Sequence, residues 1–180
     1  MLIRPLPVTL PERVARVASQ APTGSVTYEQ YLQFRDRNRT FSQLAAFQDT
    51  SITFRYEGPP ELMTATVITG NYFNALLTPP LIGRVIAESD DRPGSPEVVM
   101  LSEDLWRSRF GANPSVIGQT VAINGVWFTI VGVTPEWFGG ADRDVSRDLW
   151  IPWTNQMLFS SNQFEFLVGV TAHPFRFKGR

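Results

Sequence analysis

The sequence contains no cysteine and a single histidine, His173. Without cysteine the chain has no disulfide, no thiol nucleophile and no cysteine-ligated metal. One histidine cannot build a multi-histidine metal site, and it argues against a Ser-His-Asp arrangement. These scarcities exclude thiol chemistry and histidine-rich metal centres.

Long apolar runs and an excess of positive charge are missing as well. No stretch approaches the ~20 apolar residues of a membrane-spanning helix, and the apolar part of the N-terminus is too short for a signal peptide. The 16 lysines and arginines stand against 17 aspartates and glutamates, which gives a net charge of −1 and argues against nucleic-acid binding. Taken by itself the chain is expected to be soluble.

The sequence also lacks the motifs that carry common chemistries. Its glycines form neither phosphate-binding pattern, no G-x-S-x-G elbow is present, and nothing singles out two carboxylates for glycoside hydrolysis. We therefore predict no catalytic residue, no bound cofactor and no metal site.

The composition is that of a folded protein with short elements. The 180 residues are 43% hydrophobic and 18% charged, with 13 glycines and 14 prolines. So many turn formers are unusual in helix bundles, and the sequence predicts an α+β fold.

The most strongly specified stretch runs from Glu97 to Val133. An apolar strand at 98–101 is followed by Ser102, which can cap a helix, and Gly111 can end that helix. Asn124-Gly125 then supplies the two positive-φ residues of a type I′ turn. The sequence predicts a strand-helix-hairpin unit.

The register of the hairpin follows from the position of its turn. With Asn124-Gly125 as the loop, Ile123 lies opposite Val126 and Val121 opposite Phe128, on one apolar face. The other face, which includes Trp127, is more mixed.

Two capping boxes mark the first part of the chain. Thr27 with Gln30 is the first, and Thr40 with Gln43 is the second. Aromatic and aliphatic residues follow each box at helical spacing. This pattern predicts one long helix with a bend near Asn38, or two short helices end to end.

The remaining elements are short. A helix is expected to open at Asn71, and the proline that ends 149–152 places that strand at the edge or the end of a sheet. The other predicted strands are Arg13–Ser19, Ser51–Glu57 with Leu62–Thr69 as a hairpin, and Phe164–Thr171.

Four groups of residues invite a functional interpretation, and for each a structural one is favoured. A phosphate-binding patch, a calcium loop, a cation site and sugar-stacking aromatics are the four functions weighed. The favoured alternatives are a solvated helix face for Arg35, Arg37 and Arg39, a surface loop for Glu88–Asp91, a flexible acidic loop for Pro135–Arg147 with Asp142, Asp144 and Asp148, and core or interface burial for Trp106, Trp127, Trp137, Trp150 and Trp153.

An ordered set of short motifs, each weak by itself, spans about residues 4–155. Together they resemble the MacB-like periplasmic core domain of MacB/FtsX-type ABC transporter permeases. The residues of two motifs, Leu-Trp-x-x-Arg-Phe-Gly and Gly-Asn-Tyr-Phe, are similar to those of the large, often duplicated permeases of acidobacterial type. The motifs are Tyr28-x-x-Tyr31-Leu32, Phe41-x-x-Leu44-Ala45-Ala46-Phe47, Gly70-Asn71-Tyr72-Phe73, Leu81-Ile82-Gly83-Arg84, Leu105-Trp106-x-x-Arg109-Phe110-Gly111, Ile123-Asn124-Gly125, Phe128-Thr129-Ile130-Val131-Gly132-Val133 and Leu149-Trp150-Ile151-Pro152.

The resemblance implies a two-lobed architecture. A porter-like α+β lobe is expected from residues 1–78 and from the returning segment 156–180, which is expected to be truncated. A mostly β second lobe, residues 79–155, would be inserted between them and contain the strand-helix-hairpin unit.

The resemblance also implies a function. Such domains lie between the first two membrane helices of a permease, on the periplasmic side of the bacterial inner membrane, and are not enzymes. They would contact the permease helices, a second permease copy and a possible periplasmic partner protein, and a cytoplasmic ATPase would drive them indirectly. The alternative is a free-standing extracellular carbohydrate- or peptide-binding domain.

The sequence departs from the family pattern in two places. Leu76-Leu77-Thr78-Pro79 replaces a Leu-Gly-Val-like step, and Ala172–Arg180 does not continue into the expected strand and helix. The second departure predicts a truncated or excised domain with an incomplete first lobe.

Overall fold

The computed structural model describes residues 14–17, 26–140, 147–158, 163–164 and 166–170. These residues form an α+β structure with three short helices and a large sheet, which confirms the predicted fold class. None of the described helices has the length and apolar composition that a membrane span requires. The helices are α1 (Tyr28–Arg37), α2 (Tyr72–Ala75) and α3 (Glu103–Phe110). The strands are β1 (Val14–Val17), β2 (Val26–Thr27), β3 (Gln43–Arg55), β4 (Glu61–Ile68), β5 (Ile82–Gly83), β6 (Val98–Leu101), β7 (Thr120–Ile123), β8 (Val126–Val133), β9 (Leu149–Pro152), β10 (Gln163–Phe164) and β11 (Phe166–Val170).

Nine of the described strands form one sheet in the order β1-β11-β3-β4-β9-β6-β8-β5, with β7 paired to both β3 and β8. Because β7 joins β3 to β8, the strands β3, β4, β9, β6, β8 and β7 form a closed hydrogen-bonded ring. We call this ring the barrel.

The interior of the barrel is filled by apolar side chains from every strand of the ring, and α3 adds its buried face to them. Closure removes the free edges that an open sheet of these strands would expose. The buried residues of this cluster are Ile52, Phe54, Ala65, Val99, Leu101, Leu105, Trp106, Phe110, Val116, Val121, Ile123, Phe128, Ile130, Val133, Leu149 and Ile151.

The strand-helix-hairpin unit is confirmed. The Ser102 hydroxyl accepts a hydrogen bond from the Leu105 N–H at 3.1 Å, and Gly111 ends α3 with φ of 58°. Asn124 and Gly125 have φ values of 49° and 84°, as a type I′ turn requires. The strand register is the one that the sequence predicts, with Ile123 opposite Val126 and Val121 opposite Phe128.

The helix predicted after Thr40 is wrong, because residues 43–55 form the thirteen-residue strand β3. Asn38 ends α1, and its side-chain oxygen accepts from the N–H groups of Thr40 and Phe41. Leu44 to Phe47 are all buried: Ala45 and Phe47 lie in one core cluster, and Leu44 and Ala46 in another. A continuous apolar run belongs here to a strand covered on both faces, and its residues happen to match helical spacing as well.

The placement of residues 149–152 is half right. Pro152 is the last residue of β9, as the missing N–H of proline favours. The strand itself is not at an edge, however, because it lies between β4 and β6. All four of its residues are buried.

The sheet is continuous across residue 78, since β3 and β4 pair with β7 and β9. The lobe boundaries at 78 and 155 stay a prediction. His173 and the segment Ala172–Arg180 lie outside the described residues.

Gly132 gives a test of the packing between β5 and β8. A Cβ at Gly132 would lie 2.2 Å from the Arg84 carbonyl oxygen, whereas one at Gly139 would meet no atom within 4 Å. We expect Gly132→Ala to lower the free energy of unfolding by ~1–3 kcal/mol, as overpacking does. Gly139→Ala should change it by no more than ~0.5 kcal/mol. Urea unfolding of the two variants measures both values, and equal stabilities would contradict the close approach of β5 to β8.

Candidate functional site

A buried polar network lies beneath the turn at Gly70-Asn71. The Tyr31 hydroxyl and the Asn71 side-chain amide both donate to the Leu44 carbonyl oxygen, at 3.1 and 2.9 Å. The Thr69 hydroxyl donates to Asn71 Oδ1 at 2.8 Å. Burial raises the pKa of Tyr31, so its hydroxyl stays protonated and can serve as the donor. The network fixes α1 against the start of β3.

Asp91 joins this turn to the end of β9. Its carboxylate accepts from the Gly70 N–H and from the Thr154 N–H, each at 2.9 Å. Burial raises the pKa of Asp91, and the two N–H donors oppose that rise. The loop approaches so closely that a Cβ at Gly70 would lie 2.6 Å from the Glu88 Cα, which explains why glycine stands there.

Asp90, the residue before Asp91, binds Arg84 rather than the turn at Gly70. Its two carboxylate oxygens accept from Arg84 at 2.7 and 2.9 Å, and one of them also accepts from the Ala87 N–H. Burial alone would raise the pKa of Asp90, but the hydrogen bonds from Arg84 and Ala87 outweigh burial and lower it. The expectation of a plain surface loop is therefore wrong for Asp90 and Asp91, which are structural anchors.

A polar cleft runs between α1 and the loop 88–92. Two adjoining cavities of ≈ 250 and ≈ 430 Å³ share Arg35, Asn71 and Glu88 in their walls. Tyr28, Tyr31 and Arg35 recur at three- and four-residue intervals, so one face of α1 lines the cleft. Asp91 and Arg92 line the opposite side.

The three arginines of the basic cluster differ in their position relative to this cleft. Arg35, Arg37 and Arg39 are all exposed. Arg35 and Arg37 lie on a solvated face of α1, as predicted, whereas Arg39 follows the end of the helix at Asn38. Only Arg35 reaches the cleft, where its guanidinium is paired with Asp36 at 3.0 Å. The sequence pattern gave no sign that Arg35 and Glu88 would face one cavity, because they are far apart in the chain.

The glycine-rich acidic loop has a buried ion pair at its end. Arg147 donates to both carboxylate oxygens of Asp49, at 2.8 and 2.6 Å, and to the Gly139 carbonyl oxygen at 2.7 Å. Asp148 accepts from the Thr64 N–H at 2.9 Å, a structural contact between neighbouring strands. Asp142 and Asp144 lie outside the described residues. Within the described ranges, no three aspartate, glutamate or histidine side chains converge as a metal site would need.

The five tryptophans divide into two groups. Trp106, Trp150 and Trp153 are buried, as predicted for core aromatics. Trp127 and Trp137 are exposed, with 57% and 48% of their surface accessible, so burial in the core does not account for them.

Trp127 belongs to an outward-facing set of residues on the barrel wall. The exposed residues Thr53, Arg55, Leu62 and Trp127 occupy positions next to one another and to the buried Ala122 on β3, β4, β7 and β8. We call these five residues the outer barrel patch. The mixed face of the predicted hairpin pointed to Trp127, but only strand pairing could add Arg55 and Leu62.

Comparison with known proteins identifies relatives. The family model of the MacB-like periplasmic core domain matches residues 5–174. No curated protein matches the sequence. Among solved structures, the fold is similar to the extracellular domain of the noncanonic ABC-type transporter YknZ from Gram-positive bacteria, with 20% identity, a TM-score of 0.65, and coverage of 89% of this chain and 82% of that one. It is also similar to the periplasmic region of MacB from Actinobacillus actinomycetemcomitans, with 16% identity, a TM-score of 0.66, and coverage of 87% and 67%.

The anchoring role of Asp91 can be tested against its neighbour in the cleft. Asp91→Ala leaves the two N–H groups that it satisfies without their acceptor, so we expect a loss of about 1–3 kcal/mol in unfolding free energy for each group that stays buried. Glu88→Ala should cost no more than ~0.5 kcal/mol, because Glu88 is exposed. Thermal unfolding compares them, and an equal loss for both variants would refute the anchor.

The ion pair of Asp90 predicts a defined acid sensitivity. Since the folded pKa of Asp90 is lowered from 3.8, its contribution to stability is complete above that value and is lost as the pH falls through the folded pKa. Asp90→Asn should therefore flatten the stability profile below about pH 4. Urea unfolding across this range measures the profile, and an unchanged acid slope in the variant would contradict the assignment.

Proposed function

Because the chain belongs to the MacB-like periplasmic core domain family, we propose that it is a non-catalytic coupling domain of an ABC transporter permease. On the periplasmic side of the bacterial inner membrane it transmits the motion of the permease helices to the export or release of a substrate, or to a periplasmic partner protein. A cytoplasmic ATPase drives those helices, and a second permease copy completes the assembly.

The observation that supports coupling is the length and position of β3. The first five residues of β3, 43–47, pair with β11, which pairs in turn with β1 at the edge of the sheet. Its last two residues, Phe54 and Arg55, pair with β7 and close the barrel. A strand of this length spans about 40 Å at 3.3 Å per residue, so one continuous strand connects the β1–β11 edge to the barrel.

Strand pairing with β4 and a buried ion pair stiffen this connection. The centre of β3 pairs with β4 from Phe47 to Phe54, and the buried ion pair of Asp49 with Arg147 lies beside it. Closed sheets and packed cores deform little, so a displacement at the β1–β11 edge is expected to move the barrel as a unit.

The core of the described residues consists of three clusters, each of which contains residues from both sides of position 78. One cluster fills the barrel, whereas the residues around α1 and α2 belong to two further clusters. We propose that residues 1–78 and 156–180 form the lobe that receives the motion, and that 79–155 form the lobe that delivers it. β3 and β4 are shared between them.

The alternative function, a free-standing carbohydrate- or peptide-binding domain, depends on exposed aromatic rings. Only Trp127 and Trp137 among the five tryptophans could stack on a sugar, since the other three are buried. A saturable fluorescence change with glycans, lost in Trp127→Phe or Trp137→Phe, would support that alternative over coupling.

Coupling is tested by substitutions that weaken the strand conformation of β3 and leave its charge unchanged. We expect Thr50→Gly with Ser51→Gly to weaken the strand, since each glycine costs ~0.5–1 kcal/mol relative to alanine in a strand interior. The matched control is Thr50→Val with Ser51→Val at the same positions, because valine favours strands.

The measurement uses the intact permease with its ATPase, reconstituted in lipid vesicles. Because the domain has no cysteine, a spin label at Glu57→Cys reports the barrel of each copy in a permease otherwise free of cysteine. ATP should change the distance between the two labels in the parent and the valine variant. In the glycine variant this change should shrink while ATP hydrolysis continues. Equal label movement in all three proteins would refute coupling through β3.

A further inference from the structure

The outer barrel patch has the composition of a protein-binding surface rather than of ordinary exposed sheet. Leu62 is 81% exposed and Trp127 is 57% exposed, whereas most large apolar side chains of the described residues are buried. Leu62 lies opposite Thr53, and Ala122 lies opposite both Arg55 and Trp127. The four exposed residues therefore surround the covered Ala122 on one outward face of four hydrogen-bonded strands.

Arg55 has an unusual position in this surface. Its guanidinium carbon lies 5.8 Å from the centre of the Trp127 ring, which holds the side chain over the aromatic face. Within the described part of the chain, no carboxylate forms an ion pair with Arg55. Its five N–H donors are thus available to a bidentate acceptor from outside.

The outward positions next to the patch on these strands are occupied by small hydroxyl side chains: Ser51, Thr64, Thr120 and Thr129. The exposed carboxylate nearest to Arg55 in the chain, Glu57, follows β3 and forms no ion pair with Arg55. Protein interfaces have this character at their centres, with charged residues depleted and tryptophan and arginine enriched. An arginine without an ion-pair partner on a mainly apolar and hydroxylic face fits an anion that is itself set among apolar groups.

We propose that the outer barrel patch docks a protein partner through an extended segment that places a carboxylate on Arg55 and an apolar side chain between Leu62 and Trp127. A carboxylate suits the fork geometry of the guanidinium, and apolar contact with Leu62 removes its surface from water. The inference rests on the proposed function only in taking the barrel to be the part of the permease that acts on a partner.

The first experiment measures binding to defined peptides. The full 180-residue chain is titrated with an array of nonapeptides that carry one aspartate or glutamate beside one leucine or phenylalanine. A matched array replaces each acid by its amide. We expect saturable binding to the acidic peptides and at least about tenfold weaker binding to the amides, because bidentate recognition of the carboxylate is lost.

Variants separate the patch from a general effect of exposed aromatics. Trp127→Ala and Leu62→Ala should each weaken binding of the acidic peptides about tenfold or more, as hot-spot residues do. Arg55→Gln should abolish the preference for acid over amide. Trp137→Ala, which removes the other exposed tryptophan, should change nothing. These side chains point outward, so circular dichroism should show unchanged folds.

Other outcomes overturn the proposal. The proposal of a protein partner is refuted if no acidic peptide binds. It is also refuted if Trp127→Ala and Trp137→Ala weaken peptide binding equally. Trp127-dependent binding to vesicles containing phosphatidylglycerol, or to oligosaccharides, with no peptide binding, assigns the patch to lipid or to carbohydrate instead.

A second measurement keeps this inference separate from the proposed function. In the reconstituted permease, Arg55→Gln should leave the ATP-driven label movement intact, since Arg55 lies on the surface and not within the core. In the parent permease, absence of ATP-driven label movement together with peptide binding by the 180-residue chain would contradict coupling alone. Label movement in the parent permease together with failure of every acidic peptide to bind would contradict the docking patch alone.

Discussion

The closure of the barrel by β7 is the constraint on which the rest of the structure depends. Only two residue pairs, Phe54 with Ile123 and Arg55 with Ala122, join β3 to β7. Asn124 reinforces this join, because its N–H donates to the Thr53 carbonyl oxygen and its side-chain oxygen accepts from the Thr53 N–H. Without this connection, β3 and β7 would each expose a free edge inside the molecule.

Closure also explains why the surroundings of the two faces of β3 change along the strand. Near Gln43 the strand is covered on both faces by separate core clusters, whereas Ile52 and Phe54 face the barrel interior and Arg55 faces solvent. The same strand therefore belongs to the buried base of the sheet at one end and to the barrel wall at the other. One continuous strand therefore joins the base of the sheet to the outward surface of the barrel.

Buried polar contacts hold the loops to this framework. Asp91 fixes the turn at Gly70, and Arg147 binds Asp49 through two hydrogen bonds while it also holds Gly139. The contacts of Asp91 with Gly70 and of Arg147 with Asp49 join segments distant in sequence, and each satisfies charges that burial would otherwise penalise. Acidic residues that the sequence predicts to lie in surface loops thus connect separate strands.

The sequence by itself determined the elements whose signals are local. The Ser102 cap, the Gly111 stop and the Asn124-Gly125 turn depend on side chains and φ angles within a few residues, and the ordered motifs were enough to identify the family. Tertiary structure decided what depends on distant partners. The segment 43–55 satisfies both helical and strand patterns, and β11 and β4 select the strand by pairing with it. Arg35 and Glu88 meet in one cleft, and Arg55, Leu62 and Trp127 in one patch, because strand pairing and helix packing bring together residues whose separation in the chain carries no periodic signal.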